Sequence, residues 1–519
     1  MRALLAMTCL TLVGLTAILS ARNQEREGPV RLVLLDPGSG QPRAGIVRIH
    51  AEGNEDPLVL KEAFDRLRGL PGSKELKGWY VVPAGGIQLT LPRQQVTIEA
   101  LAGLETPLVK KVVDLSDARE VKLELPALLP LAEQKLVAGN THLHLRNLTK
   151  DACDEYLRQI PAADGISVML TSYLERFKDD ETYISNKYPA GPLAHLKVEG
   201  VLCNNGEEHR HNFTAFGEGY GHVMLLDLKS FIKPASLGPG ITGKGFDDTP
   251  LRSGIDAARK QGATIIWCHN TNGHEDVPSA ITGRLHALNV FDGSRSGSYE
   301  ENYYRYLNIG LHLPISTGTD WFMYDFSRVY AQVEGDLTVK SWLAAVRAGR
   351  CQATNSPLLT LKVNGQPIGS TLRLDKPGPV EIEAAGLGRH DFQKLELVQN
   401  GKVIATAVAK PHERGFSAKI ARTVKLDGPA WFALRIDATK QNELERVLYA
   451  HSSPVYVNMA GRDVFDLEAA NGLLMLVEKG HADIKAKGNF SDDAARGKVL
   501  ALYDDAVKEL KDCINRRGK

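Results

Sequence analysis

The chain has 519 residues, too many for a single hydrophobic core, and 43% hydrophobic with 24% charged residues is the balance of a folded multidomain protein. Lys and Arg number 63 against 62 Asp and Glu, a net charge of +1, which excludes a whole-chain field for nucleic acid or an acidic surface. Nucleic acid is therefore not the expected partner, which has to be read from a site.

Residues 1–21 carry Arg2, an apolar run from Ala3 to Leu19 and the small pair Ser20-Ala21. This is the layout of a signal peptide and predicts a secreted or periplasmic protein; an uncleaved anchor helix is the alternative. No later segment is apolar for long enough to span a membrane. Beyond the leader, Cys153, Cys203, Cys268, Cys351 and Cys513 are odd in number and show no paired spacing, so no disulfide scaffold is expected. The sequence does not indicate an oligomeric state.

From 29 to 130, short alternating runs such as Val30–Leu34, Ile87–Leu91 and Val121–Leu125 are punctuated by Gly and Pro, which predicts a β-sandwich. It resembles the carboxypeptidase-regulatory-like modules. From 136 to 350 apolar runs alternate with helical stretches, the pattern of an α/β domain. The predicted strands are Leu136–Leu143, Gly165–Leu170, Leu196–Leu202, Gly221–Leu226, Ala263–Cys268, Leu288–Phe291 and His312–Ser316, which suggests a seven-stranded (β/α) barrel. Alternation returns from 357 to 460 with Asn364-Gly365 and Asn400-Gly401 as hairpin signals, a second, Ig-like sandwich. Residues 462–519 read as a helical tail with helices over Val464–Lys479 and Asp492–Asn515, joined through Gly480 and Gly488, that packs on the sandwich or mediates association.

Chemistry-bearing residues gather near strand ends. His142 and His144 close the first strand two residues apart, a spacing that turns both imidazoles to one face. Strand three runs into Asn205-Gly206-Glu207-Glu208-His209, strand four opens with Gly221-His222, strand five runs into His269 and strand seven into Gly318-Thr319-Asp320. In strand–helix barrels the loops at one end converge on the reacting centre.

The ordered series His-x-His, Gly-x-Glu, Gly-His, His and Gly-Thr-Asp resembles the PHP (polymerase and histidinol phosphatase) superfamily, in particular its carbaryl-hydrolase-like metallohydrolase branch, over roughly Leu136 to Gly365. The resemblance implies metal ligands at His142, His144, Glu208, His222, His269 and Asp320, with Glu207 the close alternative to Glu208 as a bridging carboxylate. Imidazole and carboxylate ligands suit one or two Zn²⁺, Mn²⁺ or Fe²⁺ ions. The implied activity is hydrolysis of a small-molecule substrate, an ester, amide, carbamate or phosphoester, by a metal-activated water, with Asp320 and His269 as the catalytic candidates, Asp320 as base, and His274 or Tyr173 to protonate the leaving group. Arg328 and Tyr173 are candidate substrate contacts. Two departures bear on this expectation. Thr171-Ser172-Tyr173 stands where many members have Asp-His, and Asp320-Trp321-Phe322 where they have Asp-x-His. They argue against a three-metal site, leave His209 or His211 as substitutes, and keep two alternatives open: a degenerate barrel that binds without turnover, or a surface carbohydrate-binding or adhesion protein.

Overall fold

The computed structural model describes residues 27–70, 78–175, 184–213, 219–269, 273–292 and 298–518. The expected signal peptide lies outside the described residues. Among the described residues, no helix is long and apolar enough to cross a membrane.

The chain divides into two units. The first runs through the described residues up to Arg68, from 78 to Ala127, and includes Ala163–Gly165. Its strands are β1 (Glu27–Leu35), β2 (Gly45–Ala51), β3 (Phe64–Asp65), β4 (Tyr80–Val82), β5 (Ile87–Pro92), β6 (Gln95–Leu101), β7 (Val109–Asp114) and β8 (Glu120–Glu124). They form one sheet ordered β5-β1-β8 and another ordered β3-β4-β2-β6-β7. Alternation decides which side chains turn inward: Val30, Leu32 and Leu34 of β1 are buried and share a core with Val47, Ile49, Val96 and Ile98.

Within this unit Arg66 and Asp164 form a fully buried two-pronged pair, with Nε donating to Oδ1 at 3.1 Å and Nη2 to Oδ2 at 2.6 Å. Arg66→Ala would leave the carboxylate buried without its cation, and urea denaturation is expected to show a loss of about 3–5 kcal/mol. Replacing both residues with apolar ones of similar size should cost less, because no charge is then stranded.

The second unit holds the remainder. Its leading strands are β9 (Leu136–His144), β10 (Val168–Tyr173), β11 (Gly191–Pro192), β12 (Leu202–His211), β13 (Gly221–Leu226), β14 (Ser236–Leu237), β15 (Thr264–Trp267), β16 (Ala287–Asn289), β17 (Ile315–Ser316), β18 (Asp320–Trp321), β19 (Arg328–Gln332) and β20 (Cys351–Thr354). The molecule is mostly β-sheet, and the expected seven-stranded (β/α) barrel of PHP type is not what forms. The largest sheet is mixed: β9, β10 and β12 run parallel, but β13 is antiparallel to both β12 and β15, and β19 is antiparallel to β9. A parallel crossover needs a dozen or more residues and usually a helix. The chain between His211 and Gly221 is too short for one, so β13 has to turn back.

That reversal has a consequence for the site. An antiparallel β13 begins beside the end of β12, with Arg210 opposite His222, so a histidine at the start of one strand meets a glutamate near the end of the other.

β12 itself lies further along than predicted. Residues 202–211 are extended and almost entirely buried despite the polar run Asn204-Asn205-Gly206-Glu207-Glu208-His209. Leu196, expected to open the strand, instead ends a short 3₁₀ turn over Ala194–Leu196. Part of this polar strand is paired, with Asn205 accepting from Thr171 Oγ1 at 2.8 Å and donating to Ser185 O at 3.1 Å, while both side-chain polar atoms of Asn204 are buried without a hydrogen-bond partner.

The sheet continues from β20 through Ala450–Ser452 into the C-terminal strands. Those strands pack over a five-stranded sheet that includes Leu358–Val363, Gly378–Gly388 and Gly415–Leu426. The two tail helices span Leu467–Lys487 and Asp493–Arg517, started by Asp466 and Asp492, whose carboxylates accept from Ala469 N and Ala495 N at 2.8 Å each. The first runs straight through Gly480, where an expected break is replaced by close approach to His274. The tail packs on the segment that carries β13 and β15, since Leu473, Val477, Val499 and Tyr503 share a core with Val223, Ile265 and Leu251.

Candidate metal centre

Strand alternation sets the site. On β9, His142 and His144 point to the same side, and parallel pairing of β18 sets Asp320 beside Leu143, between them. The approach is close: Thr319 N donates to His142 O at 2.9 Å and Phe322 N to His144 O at 3.0 Å. A side chain on Gly318 would come within 2.4 Å of His142 Cβ, so the glycine is what lets the Gly-Thr-Asp turn reach the histidines. Asp320 and His269 both hold positive φ, 59° and 56°. For residues other than glycine this costs about 1–3 kcal/mol and collects at functional sites.

The side chains meet in two groups joined by one carboxylate. In the first, His142 Nε2 and His144 Nε2 are 2.9 Å apart. Glu208 Oε2 lies 2.8 Å from His144 Nε2 and 3.7 Å from His142 Nε2, and Asp320 Oδ1 lies 3.5 and 3.6 Å from the same two nitrogens. In the second, Glu208 Oε1 lies 3.0 Å from His222 Nδ1 and 3.4 Å from His269 Nε2. Both groups could hold a metal ion. Ligands bound about 2.0–2.1 Å from one cation stand roughly 2.9–3.4 Å apart, close to the spacings here.

Hydrogen bonds behind the imidazoles aim their lone pairs. His144 Nδ1 faces Ser172 O at 3.0 Å, and a carbonyl only accepts, so Nδ1 carries the hydrogen and Nε2 is left to face His142 and Glu208. His142 Nδ1 faces Asp292 Oδ2 at 2.6 Å, and that oxygen is also held by Asn289 Nδ2 at 3.0 Å. Asn212 Oδ1 accepts from His222 Nε2 at 3.0 Å. This turns His222 Nδ1 toward Glu208 Oε1, 3.0 Å away. A lone pair aimed at a carboxylate oxygen is the arrangement a shared cation resolves.

The electrostatics agree. Burial works against charge on Glu208, but its four histidine neighbours hold its carboxyl well below the usual range. Burial would also depress His142 and His269; the surrounding Asp292, Glu208 and Asp320 carboxylates outweigh it, raising His142 well above the ordinary imidazole value and His269 to about 9. Desolvation takes His222 the other way, to about 4. Burial raises Asp320 against the pull of His142, His269 and His144. The buried Glu208 and Asp292 and the part-buried Asp320 thus demand positive charge, which arrives as protons or as a cation.

Other candidates stand elsewhere. Glu207 faces the opposite side of β12, accepting from His209 Nδ1 at 2.9 Å and Ile232 N at 2.7 Å. His211 pairs with Asp247 at 2.9 Å, so neither His209 nor His211 joins the cluster. Tyr173 donates to Glu175 at 2.8 Å and stacks on Phe231 beneath Lys233. Arg328 is fully buried and donates to Phe326 O at 2.9 Å. Neither lines the cavity at the cluster, which is about 220 Å³ and bounded by Glu208, Arg210, Asn212, His222, His269 and Asp320 among others. A larger cavity of about 480 Å³ shares Trp321 with it and contains none of the clustered ligands. Cys268 comes within reach of His142 and Asp292, but burial holds its thiol well above its usual pKa, which disfavours the thiolate a metal needs.

Asp292 was not expected, although a carboxylate directly after the predicted strand Leu288–Phe291 is the signal that marks it. Asp292→Asn should weaken metal binding by about 10–100-fold, since the carboxylate that orients and polarises His142 becomes a neutral amide. Competition with a chelating dye would measure this, and unchanged affinity would deny Asp292 that role. Comparisons with protein-family models, with curated proteins and with solved structures return no match for this chain.

Proposed function

We propose that the protein is a metal-dependent hydrolase that uses one or two divalent cations, Zn²⁺, Mn²⁺ or Fe²⁺, to cleave an ester, amide, carbamate or phosphoester. The observation that carries this reading is the convergence of His142 Nε2, His144 Nε2, Glu208 Oε2 and Asp320 Oδ1, with both Nδ1 atoms tied behind. The order of these residues along the chain, which resembles that of the PHP superfamily, supports the same proposal.

A bound divalent cation supplies Lewis acidity toward a carbonyl or phosphoryl oxygen and makes a water acidic enough to attack near neutral pH. The chain's own residues do the rest. Asp320 borders the cavity, where its carboxylate is placed to take a proton from that water. His269 also borders it. With one cation in the first group, His269 Nε2 keeps a proton it can pass to the leaving group. With two, the same nitrogen is a ligand.

Elemental analysis of the purified protein separates these cases and tests the proposal: about one or two ions per chain in wild type, and loss in His142→Ala and His144→Ala. A panel of chromogenic esters and phosphoesters with added Mn²⁺ or Zn²⁺ tests turnover. Full metal loading with no cleavage of any compound would leave a binding protein, not an enzyme.

A further inference from the structure

The cavity beside the cluster contains a cation that no described group neutralises. Arg210 stands two residues after Glu208 on β12 and therefore faces the same side. It lies opposite His222 in the β12–β13 register and lines the cavity with Glu208, His222, His269 and Asp320. The residue is 9% exposed. Its Nε has no hydrogen-bond partner, and among the described residues its guanidinium makes no ion pair. The nearby carboxylates are engaged: Glu208 with four histidines, Asp320 with His142 and His144.

A guanidinium stays protonated at any ordinary pH and presents a planar fork that matches two oxygens of a carboxylate or phosphate. Buried charges are ordinarily paired. Arg66 and Arg389 of this chain follow that rule, paired with carboxylates at 2.6 and 2.7 Å. Arg210 departs from it on the wall of a cavity of about 220 Å³ that also borders the candidate metal ligands.

We propose that Arg210 is the substrate-binding residue that selects an anionic substrate, holding a carboxylate or phosphoryl group in the cavity beside the bond that is cut. This rests on the hydrolase reading for its catalytic sense, but binding of the anion can be tested without it. Arg328, the arginine singled out in the sequence, is walled in and cannot serve.

The test uses the full-length protein, with metal content measured alongside. Calorimetric titration with inorganic phosphate, and separately with benzoate, decides which oxyanion is preferred. Arg210→Met is expected to weaken binding of the preferred anion by about 10–100-fold, the range for hydrogen bonds to charged groups, with metal content retained; Arg210→Lys should recover part of the loss. If turnover is found, the ratio of kcat/KM for p-nitrophenyl phosphate to that for p-nitrophenyl acetate should fall by a similar factor, mainly through KM. The proposal is overturned if wild type binds neither anion, if Arg210→Met binds both as wild type does, or if both substrates lose equally. Absence of metal or of turnover, with the phosphate result intact, would instead count against the hydrolase reading.

Discussion

Glu208→Gln is expected to lower turnover by about 10³-fold or more and to strip at least one cation, while leaving the far-UV circular dichroism spectrum close to wild type. The carboxylate serves both groups: Oε2 faces His142 and His144, Oε1 faces His222 and His269. An amide of the same shape has one acceptor oxygen, and its NH₂ can only donate, so one group must lose its oxygen ligand and both lose the negative charge. Lewis-acid stabilisation contributes several kcal/mol to a transition state, and each 1.36 kcal/mol is a factor of ten in rate. Asp320→Asn, by contrast, removes a ligand from the first group alone. The ordering to look for by elemental analysis is wild type, then Asp320→Asn, then Glu208→Gln. Full metal content in the Glu208 variant would show that the two groups do not share a bridging carboxylate.

Metal binding should be strongly proton-linked, with affinity climbing as pH rises from about 6 toward 9. Without a cation, the Asp292, Glu208 and Asp320 carboxylates keep His142 and His269 protonated, His269 up to about 9. A cation has to displace those protons. The same shifts act on the stability of the metal-free protein. A histidine whose folded pKa lies above its unfolded value of 6.5 contributes stability that is fully present below 6.5 and lost as pH rises through about 9. For His269 alone this is on the order of 3 kcal/mol at 1.36 kcal/mol per unit. Metal-free protein should therefore melt progressively lower between pH 6.5 and 9, whereas metal-loaded protein should not. Calorimetry in two buffers of different ionisation enthalpy would count the protons released, and a count of zero would sink this account.

Most of the candidate cluster is legible along the chain because period-two alternation and strand ends are local properties. His142 and His144 need only an extended backbone to share a face, and Gly-Thr-Asp needs only a turn. Glu207 and Glu208 cannot be separated that way until β12 is seen as a buried strand, since a run of Asn, Gly, Glu and His reads as a loop. The same misreading hides Arg210, whose orientation toward the cavity follows from its spacing to Glu208 once residues 202–211 are extended. Tyr173 and Arg328 carry suitable chemistry, but Glu175 and Lys233 occupy one and the core encloses the other.

The sequence by itself determined which residue types could hold a cation and which stretches alternate, because those depend on neighbours a few positions away. Only the tertiary structure decided that the strands form a mixed sheet. The direction of β13 depends on how far the chain must travel to pair, and pairing partners are distant in sequence. That direction brings His222 to Glu208 and Arg210, and it is why a histidine at the wrong end of a parallel strand stands at the right end of an antiparallel one.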